Sequence, residues 1–140
     1  MLKTKIAVFV SGGGTNFEAL INAQENGKIP HGEIVLMVSS SKTAYALKRA
    51  ENHGIKSVVC SKKELGSQES FEEEILKNLE ENDIQLIVLA GFMSILSKEF
   101  TKKYENRIIN IHPSLIPSFC GEGFYGLHVH EAALKKGVKV

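Results

Sequence analysis

Cysteine, unbalanced charge and long apolar runs are all scarce in this chain. The two cysteines of its 140 residues, Cys60 and Cys120, are too few for a disulfide framework and fit a reducing cytoplasm. Lysine and arginine (17) nearly cancel aspartate and glutamate (16), for a formal charge of +1. That balance argues against a nucleic-acid partner, which would be met by a basic stripe. No apolar run nears the ~20 residues of a membrane span. The run after Met1-Leu2-Lys3-Thr4-Lys5 is too short and wrongly flanked for a signal peptide. Repeats, low-complexity tracts and linkers are absent. What remains, 43% hydrophobic and 24% charged, reads as one cytoplasmic globular domain over 1–140.

Apolar runs alternate with helical patterns. Strands are expected at 6–10, 34–38, 55–60, 86–90 and 107–111. Helices are expected at 16–26, 43–53 and 97–104, with Gly27 and Gly54 as stops for the first two. Ser70 with Glu73 reads as a capping box opening a further helix to about residue 82, with Phe71, Ile75, Leu76 and Leu79 on one apolar face. After a loop at 113–126 comes a helix at 128–136, and Val138–Val140 resembles a strand barely begun. Strands apolar on both faces, separated by helices, predict an α/β fold: a doubly wound, mostly parallel Rossmann-like sheet. The short last strand suggests a sheet unfinished at its carboxyl-terminal edge, hence a fragment of a longer protein. Ligands in such sheets sit at the carboxyl ends of strands, here near 11–16, 39–42, 91–96 and 110–117.

Each of these segments carries its own chemistry. Ser11-Gly12-Gly13-Gly14-Thr15-Asn16 joins the first strand to the first helix, where glycines and free N–H groups suit a phosphate. A third dinucleotide-type glycine would fall on Phe17, and Ser39-Ser40-Ser41-Lys42 offers no acid for a ribose. NAD is therefore disfavoured, an NADP-dependent reductase stays open, and a phosphate monoester fits best. The plainer alternative is a glycine turn with Thr15 capping the helix. Gly91-Phe92-Met93-Ser94-Ile95-Leu96 is an apolar strand-to-helix loop that could grip a flat heterocycle or simply pack the core.

Asn110-Ile111-His112-Pro113 ends the fifth strand. Alternation aims Asn110 and His112 one way and Ile109 and Ile111 the other. A carboxamide can donate to a developing oxyanion and an imidazole can move protons, a pairing suited to attack on a carbonyl. The plain alternative is a hydrogen-bonded pair at a strand end. His128 and His130, two apart on a helix, do not share a face, so no metal is expected. His31 and His53 read as surface residues and Glu72-Glu73-Glu74 as a solvated helix face. Cys120 near His112 lacks an orienting third group for a nucleophile.

Three segments, Ser11–Asn16, Leu89–Met93 and Asn110–Pro117, together resemble the phosphoribosylglycinamide formyltransferases of purine synthesis, a likeness covering 1–140. The Asn-x-His-Pro-Ser element is also shared with formyltetrahydrofolate hydrolases and methionyl-tRNA formyltransferases. The resemblance implies formyl transfer from 10-formyltetrahydrofolate to the amine of glycinamide ribonucleotide, with no metal. It implies Asn110 and His112 as catalytic, and Gly14, Thr15 and Asn16 on the ribonucleotide phosphate. Met93, Ser94, Ile95, Leu96, Asn110 and Gln68 would border the folate. Gln68 and Ser94 stand where many members carry arginine. The family's catalytic aspartate falls in a later segment, and Asp83, the single aspartate here, precedes strand four at the wrong end of the sheet. The loop at 118–127, longer than in several relatives, would lie over the site. A formyltetrahydrofolate hydrolase or a weakly active nucleotide- or folate-binding fragment is the alternative. Small molecules are the expected partners.

Overall fold

The computed structural model describes residues 3–111. The loop at 113–126, the helix at 128–136, the strand at 138–140 and His112 lie outside that range. In chain order the elements are β1 (Thr4–Val10), α1 (Thr15–Glu25), β2 (Gly32–Ser39), α2 (Ala46–Asn52), β3 (Lys56–Val59), α3 (Lys62–Leu65), α4 (Gln68–Glu81), β4 (Leu86–Ala90), α5 (Lys98–Lys103) and β5 (Ile108–Ile111). All strand pairings among the described residues are parallel, in the order β3-β2-β1-β4-β5. This is the doubly wound α/β sheet expected from the alternating runs. The order reverses direction at β1, so the loops after β1 and β4 flank the topological switch point.

Two cores pack the two faces of the sheet. Val8, Val10, Ile109 and Ile111 join Phe17, Leu20 and Ile21 of α1 on one side. Ala7, Phe9, Leu36 and Ile108 join Phe71, Ile75 and Leu79 of α4 and Phe100 of α5 on the other. Central strands therefore need apolar residues at every position, which is why β1 and β4 read as unbroken runs.

Three local expectations are corrected. The cap of α4 is Ser67, whose side chain accepts the Ser70 N–H; Ser70 lies inside the first turn and caps nothing. Helix α2 begins at Ala46 rather than Thr43, because Ser41 Oγ captures the Thr43 N–H in a local turn. The short helix α3 was not foreseen, although Ser61 capping Glu64 N–H carries the Ser-x-x-Glu signature. None of its residues is buried, so it leaves no apolar periodicity.

Candidate functional site

The glycine segment turns from β1 into α1 at Gly14, the N-cap, with φ 79°. A Cβ there would lie 2.6 Å from Ala46 Cβ, so glycine is required by both backbone and packing. Carbonyls of the segment are tied to α2: Gly12 accepts the Ala46 N–H at 3.3 Å and Gly13 accepts Arg49 Nε at 2.7 Å. In a trans peptide the next N–H points opposite to the carbonyl, so those of Gly13 and Gly14 face away from α2. From Gly13 to Phe17 no N–H donates to an acceptor among the described residues, and no side chain caps α1. The Thr15 cap considered from sequence is thus not formed; Thr15 is the first helical residue and is exposed. Asn16 is only 9% exposed, yet its carboxamide has no partner among the described residues. A row of free donors at a helix start is suited to an anion.

Beside it, the loop after β4 alternates in exposure. Met93 (82%) and Ile95 (80%) are exposed large hydrophobics, while Phe92, Ser94 and Leu96 are partly buried. Phe92 packs edge-on against Phe9 of β1 at 5.2 Å. Fixed from beneath, the loop holds two apolar side chains outward, a surface suited to a flat ring.

That fixing is done by a polar network that sequence reasoning missed. Glu72, expected on a solvated face, is buried. Its carboxylate accepts from the Ser97 N–H and hydroxyl, each at 2.6 Å, and from Gln68 Nε2 at 2.6 Å. Burial pushes the carboxyl up, but the two bonds from Ser97 and the one from Gln68 outweigh it, and it titrates below its ordinary value. Gln68 Nε2 also donates to the Ile95 carbonyl at 2.9 Å. Its amide nitrogen therefore braces the loop and leaves Oε1 for anything beyond it.

Asn110 is partly exposed in β5, opposite Leu89 of β4, while its neighbours Ile109 and Ile111 are buried in the α1-side core. For Ile109, Asn110 and Ile111 the alternation read from sequence thus holds, with Asn110 on the face of the sheet opposite the α1-side core, near its carboxyl end. Its intended partner His112 lies outside the described residues. Asp83, paired with Lys5 at 3.8 Å, is at the amino end, as expected.

His53, expected at the surface, is partly exposed and engaged on both ring nitrogens. Its Nε2 meets Glu18 at 2.8 Å and its Nδ1 meets Glu25 at 3.1 Å. The Glu18 hydrogen bond leads in raising its pKa against a smaller opposing cost of burial. His31 is exposed. Burial, aided by the Glu74 charge, pushes the Cys60 thiol up to about 11, so it is an inert core group. An apolar hollow of about 410 Å³, lined by Ile6, Leu20, Ile29, Leu86 and Ile109 among others, lies at the amino ends of the strands, away from this chemistry. Among the described residues no group of three His, Cys, Asp or Glu could hold a metal ion, and no helix is long and apolar enough to cross a membrane.

Residues 4–140 match the formyl transferase family model. A trifunctional purine biosynthetic protein adenosine-3 of Gallus gallus is 46% identical over 99% of this chain and 13% of its own length. A phosphoribosylglycinamide formyltransferase of Haemophilus influenzae is 37% identical over 95% of this chain and 60% of its own length. Among solved structures, the phosphoribosylglycinamide formyltransferase of Brucella melitensis superposes with a TM-score of 0.76 at 41% identity, covering 97% of this chain and 68% of that one. That of Coxiella burnetii gives 0.75 at 40% identity, covering 97% and 61%. The chain thus spans 13% and 60% of the length of these two curated relatives. Fold, motif order and the family match agree: the chain belongs to the formyl transferase family.

Proposed function

We propose that the protein transfers the formyl group of 10-formyltetrahydrofolate to the amine of glycinamide ribonucleotide, a cytoplasmic step of de novo purine biosynthesis. The observation that carries this reading is the uncapped donor row after β1, beside an outward-facing apolar loop. Both follow the carboxyl ends of the neighbouring strands β1 and β4, in a chain 37% identical to a phosphoribosylglycinamide formyltransferase.

In this reading Gly14, Thr15 and Asn16 hold the ribonucleotide phosphate, fixing the amine within reach of the formyl carbon. Met93, Ser94, Ile95 and Leu96 border the folate head, with Asn110 and the free oxygen of Gln68 beside them. As the amine adds, a C–N bond forms and negative charge grows on the formyl oxygen. Asn110 donates to that oxygen, and His112 carries the amine's proton towards the departing folate nitrogen.

The test is formation of formylated ribonucleotide, dependent on both substrates. Asn110→Ala is expected to lower kcat about 10²–10³-fold, the usual cost of an oxyanion donor. A loss below tenfold, or formate release without ribonucleotide, would count against the assignment.

A further inference from the structure

The loops after β1, β2 and β4 meet at one hydroxyl. Ser11, first residue past β1, accepts the Met93 N–H at 2.8 Å. Its Oγ also lies 2.6 Å from Ser40 Oγ, and the Ser40 N–H donates to the Val10 carbonyl at 3.0 Å. The bond to Met93 joins residues 82 apart in sequence, and no ladder bond continues the pairing of β1 with β4 beyond Phe9–Leu89. It is therefore a separate tie, placed where the sheet stops holding the two loops together.

We propose that Ser11 is a positioning residue that couples the phosphate loop to the loop bearing Met93 and Ile95, so that filling one is felt at the other. The proposal rests on the assignment of these loops to the two substrates. Ser11 opens the segment whose N–H groups receive the anion, and any adjustment of that segment moves Oγ. Met93 follows because its N–H has this acceptor. On the far side the shift meets Gln68 and Glu72, which hold the Ile95 carbonyl and Ser97 against α4. Movement is thus confined to the stretch from Met93 to Ile95, where the two exposed apolar side chains stand.

The test uses the full chain, labelled with ¹⁵N and titrated with ribose 5-phosphate, which supplies a phosphate monoester without folate or reactive amine. The amide signals of residues 12–16 are expected to shift with those of 92–95. In Ser11→Ala the first group shifts as before, while the second falls at least severalfold. Ser11→Thr, which keeps the hydroxyl, restores it. Residue 11 is partly exposed, and the spectra themselves report whether each variant is folded. Shifts at 92–95 that survive in Ser11→Ala would mean direct contact or another route and overturn the coupling. Wild-type shifts confined to 12–16 would overturn it too, while leaving the phosphate site intact. Absence of any shift at 12–16 would sink the phosphate assignment, and the coupling with it.

Discussion

Replacing Gly14 by alanine tests whether the glycine loop after β1, the proposed phosphate site, is shaped by this backbone. With φ at 79°, a side chain costs about 1–2 kcal/mol for the left-handed conformation. The new methyl would also stand 2.6 Å from Ala46 Cβ and 3.1 Å from Ala46 Cα. Ordinary carbon contacts begin at about 3.5 Å, so α1 and α2 must part by nearly an ångström. Overpacking of that kind costs about 1–3 kcal/mol. Against this stands about 0.4–1 kcal/mol from the stiffer unfolded chain. The net is a loss of about 2–4 kcal/mol, which at a mid-range urea slope of about 2 kcal/mol per molar lowers the midpoint by roughly 1–2 M. Gly12→Ala and Gly13→Ala are the controls, since a Cβ at either meets nothing within 4 Å; each is expected within about 0.5 kcal/mol of wild type. Urea unfolding of the three variants decides. A Gly14→Ala loss below about 1 kcal/mol, or one matching the controls, would refute the reasoning.

Three further outcomes follow from the titrating groups. Because the Glu72 carboxyl titrates below 4.5 in the fold, its contribution is full above that pH and is lost as pH falls through the lower folded value. Glu72→Ala is expected to cost about 1–3 kcal/mol at neutral pH and progressively less in acid; a gap independent of pH would contradict this. His53 runs the other way: its pKa is raised above 6.5, so its stabilisation is present below that pH and fades as pH rises through the folded value. His53→Ala should therefore destabilise more in mild acid than in alkali, by about 0.2–1 kcal/mol and less in high salt, which thermal unfolding at two pH values measures. Cys60, its thiol held near 11, should resist iodoacetamide at pH 8 until urea is added, as peptide mapping would show; rapid native labelling would disprove its burial.

The central strands β1, β2 and β4 were legible because they are largely buried on both faces. Leu86–Ala90 is apolar throughout, and that run marks β4 to the residue. Asn110 was legible for a related reason, as one polar residue between isoleucines at a period of two. The bracing of the site was not. Glu72 looks like its exposed neighbour Glu73 in sequence, and its partner Ser97 lies 25 residues away. Ser11 and Ser40, 29 apart, are equally unremarkable alone. Such contacts depend on where the crossovers bring loop ends together, and no local periodicity encodes that.

The ties from α2 to the carbonyls of Gly12 and Gly13 have one more implication. A receptor whose acceptors are committed during folding meets its guest already in shape, so little ordering remains to be done at the encounter. Substitutions on α2 would then alter affinity without touching the guest, and the helix rather than the loop becomes the place to tune how tightly the proposed anion site grips.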